Sequence, residues 1–343
     1  MDVDDSEQLI ASVQSAIERN AALTIEGEAS KSFLGPRVDG EVVSTRDHTG
    51  ITEYRPDELV VTARAGTSLS ELDAVLGAEN QMLACDPPHF GGKGTLGGAI
   101  AAGFSGPGRP WHGSVRDGLL GVELVNGHGQ RMQFGGQVMK NVAGYDVSRL
   151  MVGARGTLGL ILSASLKVLP RPEHTCTVAV AVDPVEACSR SRKLLRKPYP
   201  VSGTCYVDNR LYIRLSGNEA AVVDAVETVG TSKEVEGPFW DQVRDHEHPF
   251  FQGNQPLWRV SLARGAVFPS ENYREQLTEW AGAQVWAYMG DARSVELVEG
   301  GYVTPFRNVA ADSSRPITAE DKYARRLKAA FDPRDIFNRG MVV

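Results

Sequence analysis

Gly94-Thr95-Leu96-Gly97-Gly98-Ala99-Ile100-Ala101-Ala102-Gly103 and Gly153-Ala154-Arg155-Gly156-Thr157-Leu158-Gly159-Leu160-Ile161 share the run Gly-Thr-Leu-Gly and stand in the first half of a 343-residue chain. Both set bare backbone where side chains normally stand. Glycine admits positive φ and lets a ligand or a second backbone come close. Small residues with one threonine hydroxyl suit a pyrophosphate, whose oxygens backbone N–H groups can meet. The pair therefore predicts the cradle of a dinucleotide cofactor. Gly97 and Gly98 taken alone are explained as well by tight packing, and the two runs are too short and too differently flanked to be a repeat.

Upstream, Leu9, Ile10, Val13 and Ile17 fall on one face of a helix over Ser6–Asn20. A strand, Ala22–Ile25, leads into a loop of small and polar residues ending at Gly35. Strands are expected near Val42–Ser44, Ile51–Tyr54 and Leu59–Ala63. Ser68-Leu69-Ser70-Glu71 is a capping box opening a helix with Leu69, Leu72, Val75 and Leu76 on its apolar face. Downstream, Asn126-Gly127 joins two strand-like runs as a hairpin, and Leu162, Ala164, Leu166 and Val168 alternate with polar residues as a half-buried strand.

Pro170-Arg171-Pro172 breaks the pattern, and glycine thins beyond it, which divides the chain into domains 1–171 and 172–343. In the second part, Thr177–Val182, a helix capped by Asp183-Pro184, a hairpin across Asp208-Asn209 and a helix over Glu219–Val229 predict a small ferredoxin-like layer. A last helix, Thr318–Phe331, stops at Asp332-Pro333. The fold class is α+β.

Composition excludes several functions. With 42% hydrophobic and 23% charged residues the chain is an ordinary globular protein, and a formal net charge of -7 disfavours nucleic acid or an anionic membrane as partner. There is no membrane-span-length apolar run and no apolar signal core, so a cytoplasmic protein is expected. Cys85, Cys176, Cys188 and Cys205 form no Cys-x-x-Cys pair, which argues against a cluster or structural zinc. His246-Glu247-His248 would share a strand face as a metal pair, but the charged surroundings favour a solvated loop or helix, and no metal site is predicted.

Several motifs, in order, resemble the FAD-binding subunit of bacterial glycolate oxidase, within the vanillyl-alcohol-oxidase or PCMH-type flavoproteins. Gly27-Glu28-Ala29-Ser30-Lys31-Ser32-Phe33-Leu34-Gly35 is similar to that family's first pyrophosphate loop. Asp86-Pro87-Pro88-His89-Phe90-Gly91 precedes Thr95-Leu96-Gly97-Gly98, similar to its second. Arg109 to Asp117 resembles the segment beside the flavin, and Phe134 to Asp146, with Lys140-Asn141-Val142-Ala143-Gly144-Tyr145, is distinctive of glycolate oxidase subunits. Gly156 to Ile161 corresponds to the strand near the adenine, and Phe331 to Gly340 to the C-terminal return, with Arg339 where the family usually has proline.

The resemblance implies a PCMH-type FAD-binding domain of two α+β subdomains, a smaller ferredoxin-like domain, and a C-terminal tail returning to the flavin. It implies FAD contacts from Glu26, Gly27, Glu28, Ala29, Ser30, Lys31, Pro87, Gly94, Thr95, Leu96, Gly97, Gly98, Gly113, Ser114, Asp117, Gly156, Gly159, Ile161 and Asn338. The FAD is expected to be non-covalent, because Gly27–Lys31 contains no histidine or cysteine; Cys85, the one thiol near the expected site, is read as a half-buried apolar residue.

Oxidising a 2-hydroxy acid requires a hydride acceptor, a base for the hydroxyl proton and a cation for the carboxylate. His89 and His112 are the candidate bases, with Tyr145 behind them, and Arg109, Arg116 and Arg307 the candidate anchors. Each histidine alone is more often structural. At Gly300-Gly301 the next residue is Tyr302, not a histidine, and the histidine-rich cluster of the larger catalytic subunits is missing. The expected function is thus the FAD-binding subunit of a glycolate oxidase complex. A larger flavin subunit and an iron–sulfur subunit are its expected partners, and it meets the membrane only through them. A stand-alone dehydrogenase of 2-hydroxy or sugar acids, and a scaffold subunit whose flavin is not catalytic, are the alternatives.

Overall fold

Leu9, Val13 and Ala16 recur at helical spacing in α1 (Ser6–Arg19), which Asn20 closes in the left-handed conformation (φ 53°). The computed structural model describes residues 2–34, 40–136, 146–229, 233–263, 275–290, 301–309 and 319–341. Gly35, Tyr145 with the stretch 137–144, Gly300 and Thr318, all named above, lie outside those residues.

β1 (Leu23–Glu26) and β2 (Glu41–Ser44) pair in parallel, with Leu23 opposite Glu41 and Glu26 opposite Ser44. The inner face of α1 closes on Leu23 and Val43 together with Val125, Leu160, Leu162, Ile336 and Phe337. Beside this small layer stands an antiparallel sheet of β3 (Ile51–Arg55), β4 (Val60–Arg64), β5 (Gln81–Leu83), β6 (Leu119–Val125), β7 (Arg131–Gly135) and β8 (Leu160–Pro170). Its order is β3-β4-β8-β6-β7, with β5 added to the end of β8.

Helices α2 (Leu69–Ala78) and α3 (Leu96–Ala102) bury Leu69, Leu72, Leu76, Leu96 and Ile100 against Val61, Ala63, Val122, Ala164 and Leu166 of the sheet. The alternation read in β8 changes phase on the way. A register shift between Glu123 and Leu124 turns Leu160 and Leu162 toward α1, and Ala164, Leu166 and Val168 toward α2 and α3. One strand thereby serves two cores.

β9 (His174–Ala181), α4 (Pro184–Leu194), β10 (Val201–Val207), β11 (Arg210–Gly217), α5 (Glu219–Val229) and β12 (Lys233–Glu234) follow. The strands lie in the order β12-β9-β11-β10, all antiparallel, the arrangement of a split β-α-β unit. Asp208 and Asn209, at φ 51° and 56°, make the tight turn between β10 and β11. The sheet does not stop there. It continues from β10 through β14 (Gln276–Glu279), β15 (Gln284–Tyr288), β13 (Leu257–Ser261) and β16 (Tyr302–Arg307), to eight strands among the described residues.

The chain forms two compact units: Met1–Ser105 with Gly113–Arg171 and Arg315–Val343, and Gly106–His112 with Pro172–Ser314. The chain passes from the first unit to the second after Arg171. A linear division omits the other crossings, because the C-terminal segment folds into the first unit and Gly106–His112 into the second. The first assignment follows from Ile336 and Phe337, both fully buried in the α1 core, and the second from Trp111, which packs in the core under β9–β11. Among the described residues, no helix is long and apolar enough to cross a membrane.

Candidate functional site

The loop leaving β1 presents open backbone. Among the described residues, no acceptor in the chain takes the N–H groups of Gly27, Glu28, Ala29 or Ser30. Ala29 is left-handed (φ 52°), the backbone shape that turns successive N–H groups toward one point. The loop then tightens through Ser32 N–H to Ala29 O and Leu34 N–H to Lys31 O into a short 3-10 turn, Ser32–Leu34.

Facing it is the start of α3. Thr95, 3% exposed, is the N-cap, and its Oγ1 accepts from Gly98 N–H at 3.2 Å. Leu96 N–H donates to Thr67 O, and Gly97 N–H to Ala65 O at 2.8 Å. These N–H groups are therefore spent inside the protein. What the second loop offers is space and a hydroxyl, not the row of donors its composition suggests. The space is narrow. A Cβ on Gly27 would lie 2.7 Å from Thr95 Oγ1, one on Gly98 3.0 Å from the same atom, and one on Gly97 2.8 Å from the Ala65 methyl. The Lys31 ammonium lies 3.9 Å from the point a Gly98 Cβ would occupy, 3.3 Å from Ser30 Oγ, and over the Phe90 ring. Phe33, Phe90 and Phe104 meet edge to face in an aromatic wall beside it.

The second Gly-Thr-Leu-Gly run serves as a joint. Gly156 is left-handed (φ 70°), and a Cβ there would lie 2.7 Å from Asn338 Nδ2. Asn338 accepts from Ile25 N–H at 2.9 Å and donates to Arg155 O at 2.7 Å, tying the C-terminal return to β1 and to this turn. The Arg155 side chain donates to Leu34 O at 3.0 Å, and burial pushes its guanidinium below the ordinary value. Sequence reasoning missed Arg155 and the phenylalanine wall, because neither residue type stands out among surface-like neighbours. Ile161 is a core residue, packed with Leu124 and Ala164, and Gly159 lets β8 pass Val125 O.

The other predicted residues scatter. Ser114 N–H and Oγ both donate to Asp117 Oδ2, at 2.9 and 2.7 Å, so this pair closes its own short turn. Arg116 is exposed beside it, and Pro87 is buried. His89 Nε2 lies 3.2 Å from Asp73 Oδ2 in the first unit. Arg109 and His112 belong to the second unit, as does Arg307, which donates to Phe251 O. Cys85 is fully buried rather than half-buried, with its thiol pushed up to about 12 by desolvation. His246 and His248 are not solvated. His246 stacks on Phe251 at 4.0 Å, and His248 Nδ1 caps Phe250 N–H; burial depresses both. Phe251, Trp286 and Phe306 pack around His246, and Phe239 meets His248 edge to face. Among the described residues, no group of three or more metal-ligating side chains gathers.

A parallel β pair beside an antiparallel sheet, with glycine loops meeting across Thr95, is the architecture of a dinucleotide-binding flavoprotein. A family model described as an FAD binding domain matches residues 2–135. The chain belongs to the family of glycolate oxidase subunit GlcE of Escherichia coli (strain K12), to which it is 43% identical over 98% of its own length and 97% of that protein's. Glycolate oxidase subunit GlcD of Bacillus subtilis (strain 168) is 31% identical over 46% of this chain and 33% of that one. Among solved structures, an alkyldihydroxyacetonephosphate synthase superposes with a TM-score of 0.69 at 16% identity, over 97% of this chain and 74% of that one, a likeness of fold. The family is one of FAD-binding oxidoreductases.

Proposed function

We propose that this chain is the FAD-binding subunit of a glycolate oxidase complex and holds its flavin non-covalently. The observation that carries the reading is the β1 loop, whose N–H groups at Gly27 to Ser30 have no acceptor among the described residues and face a wall with no room for a side chain. That cradle fits a pyrophosphate: donors from the first loop, the Lys31 cation at its edge, and close approach permitted by Gly97 and Gly98. Arg155 and Asn338 brace the loop by backbone contacts, so the return of the C-terminus stiffens the site rather than supplying charge to it.

FAD bound there would supply a two-electron acceptor able to release electrons singly. The chain's own part is to bind and orient it. Cys85 takes no part in a covalent link on this reading, since a desolvated thiol is a poor nucleophile. The larger flavin subunit and the iron–sulfur subunit belong to the same proposal, supported by the word subunit in the names of the relatives. A peripheral place at the cytoplasmic membrane would follow from those partners.

The test is a titration of the purified full chain with FAD, followed by flavin fluorescence and by the spectrum of the washed protein. Stoichiometric uptake supports the cofactor reading, and a folded chain that retains no flavin rejects it. Glycolate turnover by the isolated chain with an artificial acceptor would favour a stand-alone dehydrogenase. Turnover only after adding the partner subunits supports the complex.

A further inference from the structure

A buried ion pair stands where the C-terminal return begins. The helix α6 (Ala319–Phe331) closes at Asp332, whose N–H donates to Lys328 O at 2.7 Å before Pro333 stops the helix. Lys328 and Asp332 are four residues apart on one face, and Lys328 Nζ donates to Asp332 Oδ2 at 2.6 Å. The carboxylate is fully buried, and the lysine side chain is 18% exposed.

Each bond of this pair ties down chain. Lys328 Nζ donates also to Phe337 O at 2.8 Å and to Thr157 O at 2.9 Å, with Asp335 Oδ1 alongside at 3.1 Å. The three N–H groups of one ammonium thus join the helix end, the return and the second Gly-Thr-Leu-Gly run. Asp332 accepts from Ile336 N–H at 3.0 Å and from Phe337 N–H at 2.8 Å. Gly127 N–H donates to Phe331 O at 2.8 Å, and a Cβ on Gly127 would lie 2.5 Å from Asp332 Cα, so the Asn126-Gly127 hairpin closes on the same point.

Asn338 comes next. It is left-handed (φ 43°), a conformation asparagine tolerates better than most residues, and 4% exposed. Its N–H donates to Leu23 O at 2.9 Å, its Oδ1 accepts from Ile25 N–H, and its Nδ2 donates to Arg155 O. Arg155 in turn holds Leu34 O. Ile25 and Leu34, at the two ends of the β1 loop, are thereby fastened through Asn338.

We infer that Lys328 is a positioning residue for the first pyrophosphate loop, acting through Phe337 O and Asn338. The loop's ligand comes from the FAD reading, on which this assignment rests. A buried ion pair brings little net stability; here it fixes the one arrangement in which the return leaves its helix. Without the ammonium, Asp332 keeps a buried charge and Phe337 O loses its donor.

The experiment compares the full chain with Lys328→Met, Asn338→Ala and the double variant. Val222→Ala, at a fully buried site of the second unit, is the destabilised control. FAD affinity is read by flavin fluorescence. Amide exchange at Ile25 is read without FAD, against Val168 of β8, whose N–H donates to Leu59 O. Lys328→Met is expected to weaken FAD binding at least about fivefold and to quicken Ile25 exchange relative to Val168. The double variant should bind FAD no more weakly than Asn338→Ala, since both substitutions act on one contact. Val222→Ala should lower the melting temperature with neither change. Unaltered FAD affinity in a folded Lys328→Met, losses that multiply in the double variant, or the same changes in Val222→Ala would each overturn the assignment. If Lys328→Met does not fold, Lys328→Met combined with Asp332→Asn removes both charges and is judged by the same outcomes. A chain that takes up no FAD but shows the Ile25 response upholds the Lys328 contact with the loop and rejects the cofactor reading. FAD uptake without that response rejects the role of Lys328 and leaves the cofactor reading standing.

Discussion

Gly27 leaves no room for a side chain, because Thr95 Oγ1 lies 2.7 Å from where a Cβ would stand. Gly27→Val therefore pushes either the β1 loop or the α3 cap outward. The expected result is at least about a tenfold loss of FAD affinity, equivalent to about 1.4 kcal/mol, with the chain still folded. Flavin retained per chain after gel filtration, compared with circular dichroism, checks this; full occupancy in a folded Gly27→Val would remove the loop from the site. The type of residue needed at Gly27 was legible in the sequence. Which atom demands it was not, since Thr95 is far away in the chain and meets Gly27 only through the tertiary fold.

At the scale of elements, α3 depends on its first turn. Thr95 caps Gly98, while Thr67 O and Ala65 O hold the two N–H groups between. Thr95→Ala removes the cap and should cost about 1 kcal/mol, seen as a fall in Tm of about 2–4 °C, whereas Thr95→Ser should keep most of it. Equal Tm values for Thr95→Ala and the parent would show that the cap carries no stability. The sequence made the helix and its capping threonine readable. It left open whether the loop's N–H groups point at a ligand or at the protein, because Thr67 and Ala65 belong to the segment after β4. The turn after β14 had a further cost hidden from sequence: left-handed Trp280 and Ala281 each store about 1–3 kcal/mol, and neither residue type advertises that conformation.

Across the molecule, three buried histidines set the acid side of stability. His48, His246 and His248 are all held below the ordinary value of 6.5, chiefly by desolvation. As pH falls past 6.5, the unfolded chain binds protons that the folded chain refuses. Stability is therefore full above 6.5 and declines on acidification toward the folded-state values. Melting temperatures at pH about 7.5 and about 5.5 should show the lower value at the acid pH, above the range where carboxylates titrate. A flat profile over that window would contradict the burial of all three. A second expectation concerns the division at Arg171. A fragment of residues 1–171 lacks Phe337, fully buried in the α1 core, and Asn338, which bonds Ile25 and Arg155. It should be poorly soluble and should retain no FAD, while the whole chain stays in solution and retains it; a soluble, flavin-loaded fragment would refute this dependence on the C-terminal return.

Local chemistry is what the sequence determined by itself. Helical spacing in α1 and α2, the Asn126-Gly127 and Asp208-Asn209 turns and the small-residue loops were all readable as an α+β chain with a dinucleotide cradle, and the order of the motifs carried the resemblance that implied FAD. Each of those features is decided within a few residues by dihedral preference or by the face a side chain presents. Tertiary structure alone decided which loop keeps its N–H groups unspent, that β8 serves two cores, and that His246 and His248 are buried. It also sent the last residues back to the first strand and set Lys328 against Thr157 O. Those outcomes depend on contacts between segments distant in the chain, where burial and hydrogen-bond competition with remote groups outweigh any local preference.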